Sequence, residues 1–286
     1  MFLRLCRKEP CEGRRFGKKP PPFALPKRKS ALASAMVSSP RKALFGYEEG
    51  RDPNMASWMI HLRIADELRK QLRPIDETAF VMGNIAPDSG VPNSSWTEFH
   101  PPKTVTHFYK KTESGRVIDV DSFCRQYFSE SLIRAYSLRE YSFFLGYYIH
   151  LLTDVRWSEE ILSTLKRDHP AAYAEDKRQL IETAKEDWYD LDFLYLEKHP
   201  DFPAFSVYEN AAGFDNDLMD MFARNAFDDR RQYICGFYRS GEHGDLHREY
   251  RYLTQERADA FVKDTSAWLL KRAALLPIPK GIDPFL

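Results

Sequence analysis

His150 and Asp154 stand four residues apart in the run His150-Leu151-Leu152-Thr153-Asp154. On a helix this spacing puts both side chains on one face, one turn apart. The preceding run Phe143-Phe144-Leu145-Gly146-Tyr147-Tyr148-Ile149 is apolar, so the helix must be central. A carboxylate buried there without a partner is expensive. A metal ion satisfies the imidazole and the carboxylate together, and both are ordinary zinc ligands at about 2.0–2.2 Å. A His–Asp hydrogen bond that orders the core answers to the same spacing. Three more signals lie upstream. His61 sits beside Ile60 and Ile64, Asp88 ends Gly83-Asn84-Ile85-Ala86-Pro87-Asp88, and His107 stands in Val105-Thr106-His107-Phe108. Taken singly, each histidine reads as a satisfied core residue and Asp88 as a turn or capping carboxylate. Taken together, His61, Asp88, His107, His150 and Asp154 have the donor types of a carboxylate- and imidazole-rich zinc cluster.

The elements that must position these residues are helical. Ser57 can cap a helix starting at Trp58, in which Ile60, Ile64, Leu68 and Leu72 recur every four residues until Pro74. Residues 76–84 predict a short helix, and Asn84 to Asn93 a loop. Residues 101–118 contain Pro101, Pro102 and Gly115 and read as an irregular excursion. Further helices are predicted over 120–136, 139–166 (one long or two abutting), 171–198, 206–227 and 254–275. Alternating runs of useful β length are absent. The expected fold class is all-α, a multi-helix bundle with long loops around a central metal site.

Composition sets the remaining limits. The 286 residues are 43% hydrophobic and 14% aromatic, which excludes wholesale disorder. No apolar run is long enough for a membrane span. The formal charge of zero hides an asymmetry. Residues 1–54 hold 13 Lys+Arg and 5 Asp+Glu, a net of +8, so the remainder carries −8. An acidic body argues against a general nucleic-acid binder, and no stable nucleic-acid complex is expected. Residues 1–54 read as a basic, disordered leader without a secretory h-region. A disordered tail, a targeting segment and upstream sequence included by a misplaced start all answer to it, and the last is favoured because a coherent amphipathic helix begins within three residues of Met55. Cys6 and Cys11 lie in that leader, which leaves Cys124 and Cys235 for a body of residues 55–286. Two cysteines far apart suit a reducing compartment, and a cytoplasmic location is expected.

Four separated stretches fall in one order: Met55-Ala56-Ser57-Trp58-Met59-Ile60-His61, then GNIAPDSGVPN, PPKTVTHF and FLGYYIHLLTD. In that order the chain resembles the bacterial zinc-dependent phospholipase C family and the related single-strand nucleases, over roughly residues 55–165. Those enzymes are all-α and hydrolyse phosphodiesters with a three-zinc cluster. The resemblance implies two or three zinc ions here. It implies His61 as ligand of one zinc, Asp88, His107 and His150 as ligands of another, and Asp154 as the bridge. Trp58 resembles the tryptophan that in secreted members is the mature N-terminus and binds zinc through its amine and carbonyl. Here it is internal, and an amide nitrogen cannot bind in that way. Those members also use a further histidine and a His-x₃-acid pair. The histidines after Asp154 are His169, His199, His243 and His247, followed four residues on by Tyr173, Pro203, His247 and Arg251.

The function expected is a zinc-dependent phosphoester hydrolase, with phospholipids among the substrates. Bound zinc lowers the pKa of water from 15.7 to about 7, and a metal pair can hold both attacking water and phosphoryl oxygen. Asp88 is expected as a ligand and also as the catalytic base that orients the water. A nuclease or nucleotide phosphatase on the same scaffold is one alternative. A metal-stabilised structural or sensor protein without turnover is the other. Four secondary readings stay open. The acids of Glu186-Asp187-Trp188-Tyr189-Asp190-Leu191-Asp192 can replace imidazoles at a metal or form salt bridges. His243-x₃-His247 has ligand spacing in a Gly-flanked loop. Phe108, Tyr147, Tyr148 and Trp157 can wall a lipid or nucleobase site or simply pack the core. Arg156 and Lys103 can meet a phosphate.

Overall fold

The computed structural model describes residues 55–72, 74–94, 98–113 and 115–282, all within one compact unit. The leader of residues 1–54, and the expectations resting on it, lie outside the described residues. The architecture is all-α.

Helix α1 (Trp58–Arg69) begins where Ser57, in extended conformation, accepts the Ile60 N–H at 3.4 Å. It is buried on nearly every side, so it runs through the core rather than over it. Helix α2 (Glu77–Ile85) is capped by Asp76, whose carboxylate accepts the Ala79 N–H at 2.9 Å. A 3₁₀ turn (Ala86–Asp88) extends it by one turn and delivers Asp88. Short strands β1 (Val91–Pro92) and β2 (Phe99–His100) pair antiparallel, Val91 opposite His100. Helix α3 (Lys103–Thr106) follows, then a hairpin of β3 (Tyr109–Thr112) and β4 (Gly115–Ile118), with Tyr109 opposite Ile118. Thus the region read as irregular holds a helical turn and a hairpin.

Helices α4 (Val120–Tyr127) and α5 (Glu130–Ala135) replace the single helix expected over 120–136. The break falls at Phe128 and Ser129, and Ser129 occupies the N-cap position of α5. Helix α6 (Leu138–Trp157) starts at a capping box, in which Ser137 and Glu140 satisfy each other's backbone donors. A π turn (Ser158–Leu162) leads into α7 (Ser163–Asp168), the abutting pair that the pattern allowed. Helix α8 (Pro170–Lys198) is interrupted by a non-helical Asp176. Helices α9 (Pro203–Asn210), α10 (Ala226–Arg239) and α11 (Gln255–Ala273, capped by Thr254) close the bundle.

One helix was misplaced. The stretch 206–227 is not continuous: α9 ends at Asn210, and α10 begins only at Ala226. Gly213 takes φ +77°, outside the helical region. Asn216 then holds the turn with its side chain. Its Oδ1 accepts the Leu218 and Met219 N–H groups, and its Nδ2 donates to the Met219 and Phe222 carbonyls. Side-chain bonds of this kind compete directly with the helical ladder.

The crossing of α2 and α6 organises the core. Gly83 and Gly146 face each other there. A Cβ on Gly146 would lie 2.2 Å from the Phe80 carbonyl oxygen, and one on Gly83 would lie 2.0 Å from that of Phe143. Both contacts are with backbone, so only glycine lets the two helices come this close. The consequence is local to the site: Asn84 and Asp88, at the end of α2, meet His150 and Asp154 on α6.

Candidate metal centre

Five side chains from four elements converge. His61 comes from α1, Asp88 from the 3₁₀ turn, His107 from the residue after α3, and His150 and Asp154 from successive turns of α6. None is more than 4% exposed. His107 Nε2 and His150 Nε2 are 3.1 Å apart. Asp154 Oδ2 lies 3.3 Å from His150 Nε2 and 3.6 Å from His107 Nε2. Asp154 Oδ1 lies 3.3 Å from His61 Nε2, and Asp88 Oδ1 lies 3.6 Å from His107 Nε2. Two ligands of a tetrahedral zinc at about 2.0–2.1 Å stand roughly 3.3–3.4 Å from each other, so these separations are those of donors around a shared ion. The five fall into two overlapping groups, His61–His150–Asp154 and Asp88–His107–His150.

Unmatched atoms point the same way. Both ring nitrogens of His61, Asp88 Oδ1 and Asp154 Oδ2 are buried and have no hydrogen-bond partner. Native interiors rarely tolerate that many orphaned polar atoms in one place, and a cation among them removes the deficit.

The outer contacts orient the rings. His150 Nδ1 donates to the Asn84 carbonyl at 2.7 Å, which leaves Nε2 facing the other donors with a lone pair available to a cation. Thr106 Oγ1 sits 3.0 Å from His107 Nδ1 and has the Lys103 carbonyl at 3.5 Å to donate to, so it can accept from the ring. Tyr147 donates to the Thr106 carbonyl and steadies that turn. Asp154 Oδ1 also accepts the Ala56 N–H at 3.0 Å, which ties the approach to α1 directly to the centre.

The electrostatics fit a cation. Burial opposes ionisation of Asp88, yet Lys103, His150 and His107 hold it below the usual carboxylate range. Burial likewise opposes Asp154, which His150 and His61 keep ionised. Burial drives His107 down to about 3 and also lowers His61, next to His150, so both favour the neutral, metal-binding form. His150 is the exception. Burial works against its charge, but Asp154, Asp88 and the Asn84 carbonyl raise its pKa. Two buried carboxylates thus demand positive charge at the position where the donors meet.

Other sequence candidates lie elsewhere. Trp58 packs edge-on against Tyr233, Phe237 and Tyr238 as a core residue. Asp187 and Asp190 clamp Arg248 at 2.7 and 2.9 Å, and Asp187 also caps the Tyr252 and Leu253 N–H groups. Asp192 accepts from Ser57 Oγ and Tyr238 Oη, both at 2.8 Å. These acids are structural partners, not substitutes for imidazoles. Among the described residues His243 and His247 join no ligand group: His243 bonds the Gly244 carbonyl and His247 faces Glu197. Tyr147 and Trp157 are fully buried core residues. Arg156 pairs with Glu160 and lies over Trp268.

Lys103 is the candidate that the structure does place at the site, 3.4 Å from Asp88 Oδ1. It lines a cavity of about 30 Å³ with Asp88, Lys185, Trp188, Tyr189 and the segment Met55–Trp58. Lys185 escaped the sequence reading because it lies on α8, far along the chain, and Trp188 and Tyr189 stand in a run of α8 that was read only for its acids. A larger cavity of about 250 Å³, lined by Arg63, Tyr195, Lys198 and Asp259 among others, includes none of the five.

No curated protein and no solved structure matches the chain. A family does, over a span that contains all five converging residues: residues 60–196 match the model of the zinc dependent phospholipase C family.

Proposed function

We propose that the chain is a metal-dependent phosphoester hydrolase, with zinc held by His61, Asp88, His107, His150 and Asp154. The observation that carries this reading is the convergence of five buried donors at ligand-to-ligand separations, with ring nitrogens and carboxylate oxygens among them that make no hydrogen bond. Zinc bound there supplies a water acidic enough to ionise near neutral pH and a Lewis acid for a phosphoryl oxygen. The protein's own groups do the rest. Asp154 lies near all three imidazoles and would help to hold the metal from the middle of the donor set. Asp88 stays ionised at the cavity wall, where it can both ligate and orient a water. Asn84 and Thr106 fix the imidazole tautomers. Substrates are phosphoesters, phospholipids included. A cytoplasmic setting suits the free thiols of Cys124 and Cys235, and among the described residues no helix is long and apolar enough to cross a membrane.

Metal content by plasma mass spectrometry is the test. The full chain is expected to carry two or three zinc ions, and its His150→Ala/Asp154→Ala variant none. An intact chain that takes up no divalent metal sinks the proposal. A panel of a phosphatidylcholine analogue, single-stranded DNA and mononucleotides then separates a lipase from a nuclease or nucleotide phosphatase. Full metal content with no turnover on any phosphoester would favour a structural or sensor role.

A further inference from the structure

The cavity of about 250 Å³ is lined from α1, α8 and α11 and by none of the five donors. Arg63 stands two residues beyond His61 on α1, about 200° around the helix, so α1 turns one side to the centre and another to this cavity. Arg63 is only 8% exposed. Its guanidinium lies over the Tyr195 ring, 4.1 Å from the centroid, a contact that uses no donor. Of its five N–H groups, only one donates to a described residue, from Nη2 to Asp259 Oδ1, and Nε is enclosed without an acceptor. Buried polar groups are rarely left so short of partners. From Arg63 a chain of hydrogen bonds follows the rim. Asp259 Oδ2 accepts from Gln255 Nε2 at 3.4 Å, and Gln255 Oε1 accepts from Lys198 Nζ at 2.6 Å. Asp259 is the one carboxylate in the lining, and among the described residues Lys198 has an amide oxygen and no carboxylate as partner. Asp66 and Glu67, further along α1, are held by Arg69 and Lys70.

The lining suits one class of ligand. Arg63 and Lys198 against Asp259 leave it positive by one, and the unused N–H groups of Arg63 call for acceptors. A carboxylate meets both needs, because it carries a single charge and its two oxygens match the planar donor edge of a guanidinium. An organic cation is poorly served: Asp259 is already engaged, and the Tyr195 ring already stacks with Arg63 and His199. Leu191, Leu194 and Ala258 line the same space and fit an apolar body, not a second charge. The volume falls just short of the roughly 300–1,000 Å³ of drug-sized sites, so the molecule is small. We propose that this cavity binds a small organic monocarboxylate, with its head between Arg63 and Lys198 and its apolar body on Leu191, Leu194 and Ala258. The site stands independently of the metal centre and of the hydrolase reading.

The test titrates the full chain with hexanoate, by calorimetry and by ligand-observed NMR, with and without added zinc. Hexanol, hexylamine and hexyl phosphate are the comparison probes. Hexanoate is expected to bind saturably with a Kd of about 1 mM or tighter, equally in both conditions, and at least about tenfold more tightly than hexanol or hexylamine. Lys198 is a surface residue, so Lys198→Gln is expected to fold as the parent does and to weaken hexanoate about fivefold. Arg63→Lys keeps the charge and loses the fork, and is expected to weaken it about tenfold or more, with circular dichroism and thermal unfolding to check its fold. Hexanoate that binds no better than hexanol overturns the proposal, and so does hexanoate binding within twofold of the parent in Lys198→Gln. Tighter binding of hexyl phosphate overturns the assignment to carboxylates. Binding that appears only with zinc moves the carboxylate to the metal centre and overturns the proposal as well.

Discussion

Replacing Gly146 with alanine tests whether the helix crossing builds the candidate metal centre. The added Cβ would lie 2.2 Å from the Phe80 carbonyl oxygen, 2.7 Å from the Asn84 nitrogen and 3.0 Å from the Gly83 carbonyl carbon. Ordinary contact begins near 3.4 Å, so α2 and α6 must part by about 1.2 Å. Backbone cannot swing aside as a side chain can, and overpacking of this kind costs about 3 kcal/mol. For a domain of this size that lowers Tm by about 6–12 °C. The site suffers as well. A shift of about 1 Å carries the Asn84 carbonyl from 2.7 Å to about 3.7 Å from His150 Nδ1, past hydrogen-bonding range. Loss of such an orienting contact weakens metal binding by about 10–100-fold. Thermal unfolding of the metal-free protein reads the first effect, and competition with a chromogenic chelator reads the second. Gly236→Ala on α10 is the control, since its Cβ meets nothing within 4 Å. It is expected to stabilise by about 0.5–1 kcal/mol. A Gly146→Ala protein that melts within about 2 °C of the parent and keeps its metal affinity refutes the reasoning.

Arg248→Met leaves the buried Asp187 and Asp190 without their counterion, so a loss of about 3 kcal/mol in chemical denaturation is expected with zinc content unchanged. Loss of metal instead would return those acids to the centre. Burial pushes Asp192 up to about 7, against hydrogen bonds from Tyr238 and Ser57 and the charge of Arg63. A carboxyl raised in the folded state binds its proton more tightly there, so its contribution is fully present below about pH 4 and is lost as pH rises to about 7. The stability of Asp192→Asn relative to the parent should therefore rise between pH 4 and 7, by at most about 1.4 kcal/mol per unit, and level off above. A pH-independent difference rules out that shift. Zinc at about 100 times its Kd should raise the stability of the parent by about 2.7 kcal/mol, and should leave the Tm of His150→Ala/Asp154→Ala unmoved.

Much of the centre was legible in sequence, for a reason specific to helices. His150 and Asp154 share a face because the α-helix repeats every 3.6 residues, and no distant contact is needed to know it. Ser57 marks a helix start through a bond that spans three residues. The order of His61, Asp88, His107 and His150 carried the family resemblance, and it did so before any distance was known. Local rules failed where a long-range or side-chain interaction outweighed propensity. The Asn216 turn broke the helix expected over 206–227 through four bonds that periodicity does not encode. The acids on α8 were ambiguous in one dimension, and only the arrival of Arg248 from 58 residues away decided that Asp190 is a clamp.

What tertiary structure alone decided is the convergence itself. Four elements meet because Gly83 and Gly146 let two backbones touch, and because the Ala56 N–H reaches 98 residues across the chain to Asp154. The placement of Lys103 and Lys185 at one small mouth belongs to the same class of fact. Spacing along a chain sets which side chains share a helix face, whereas packing sets which faces meet, and the candidate chemistry of this protein needs both.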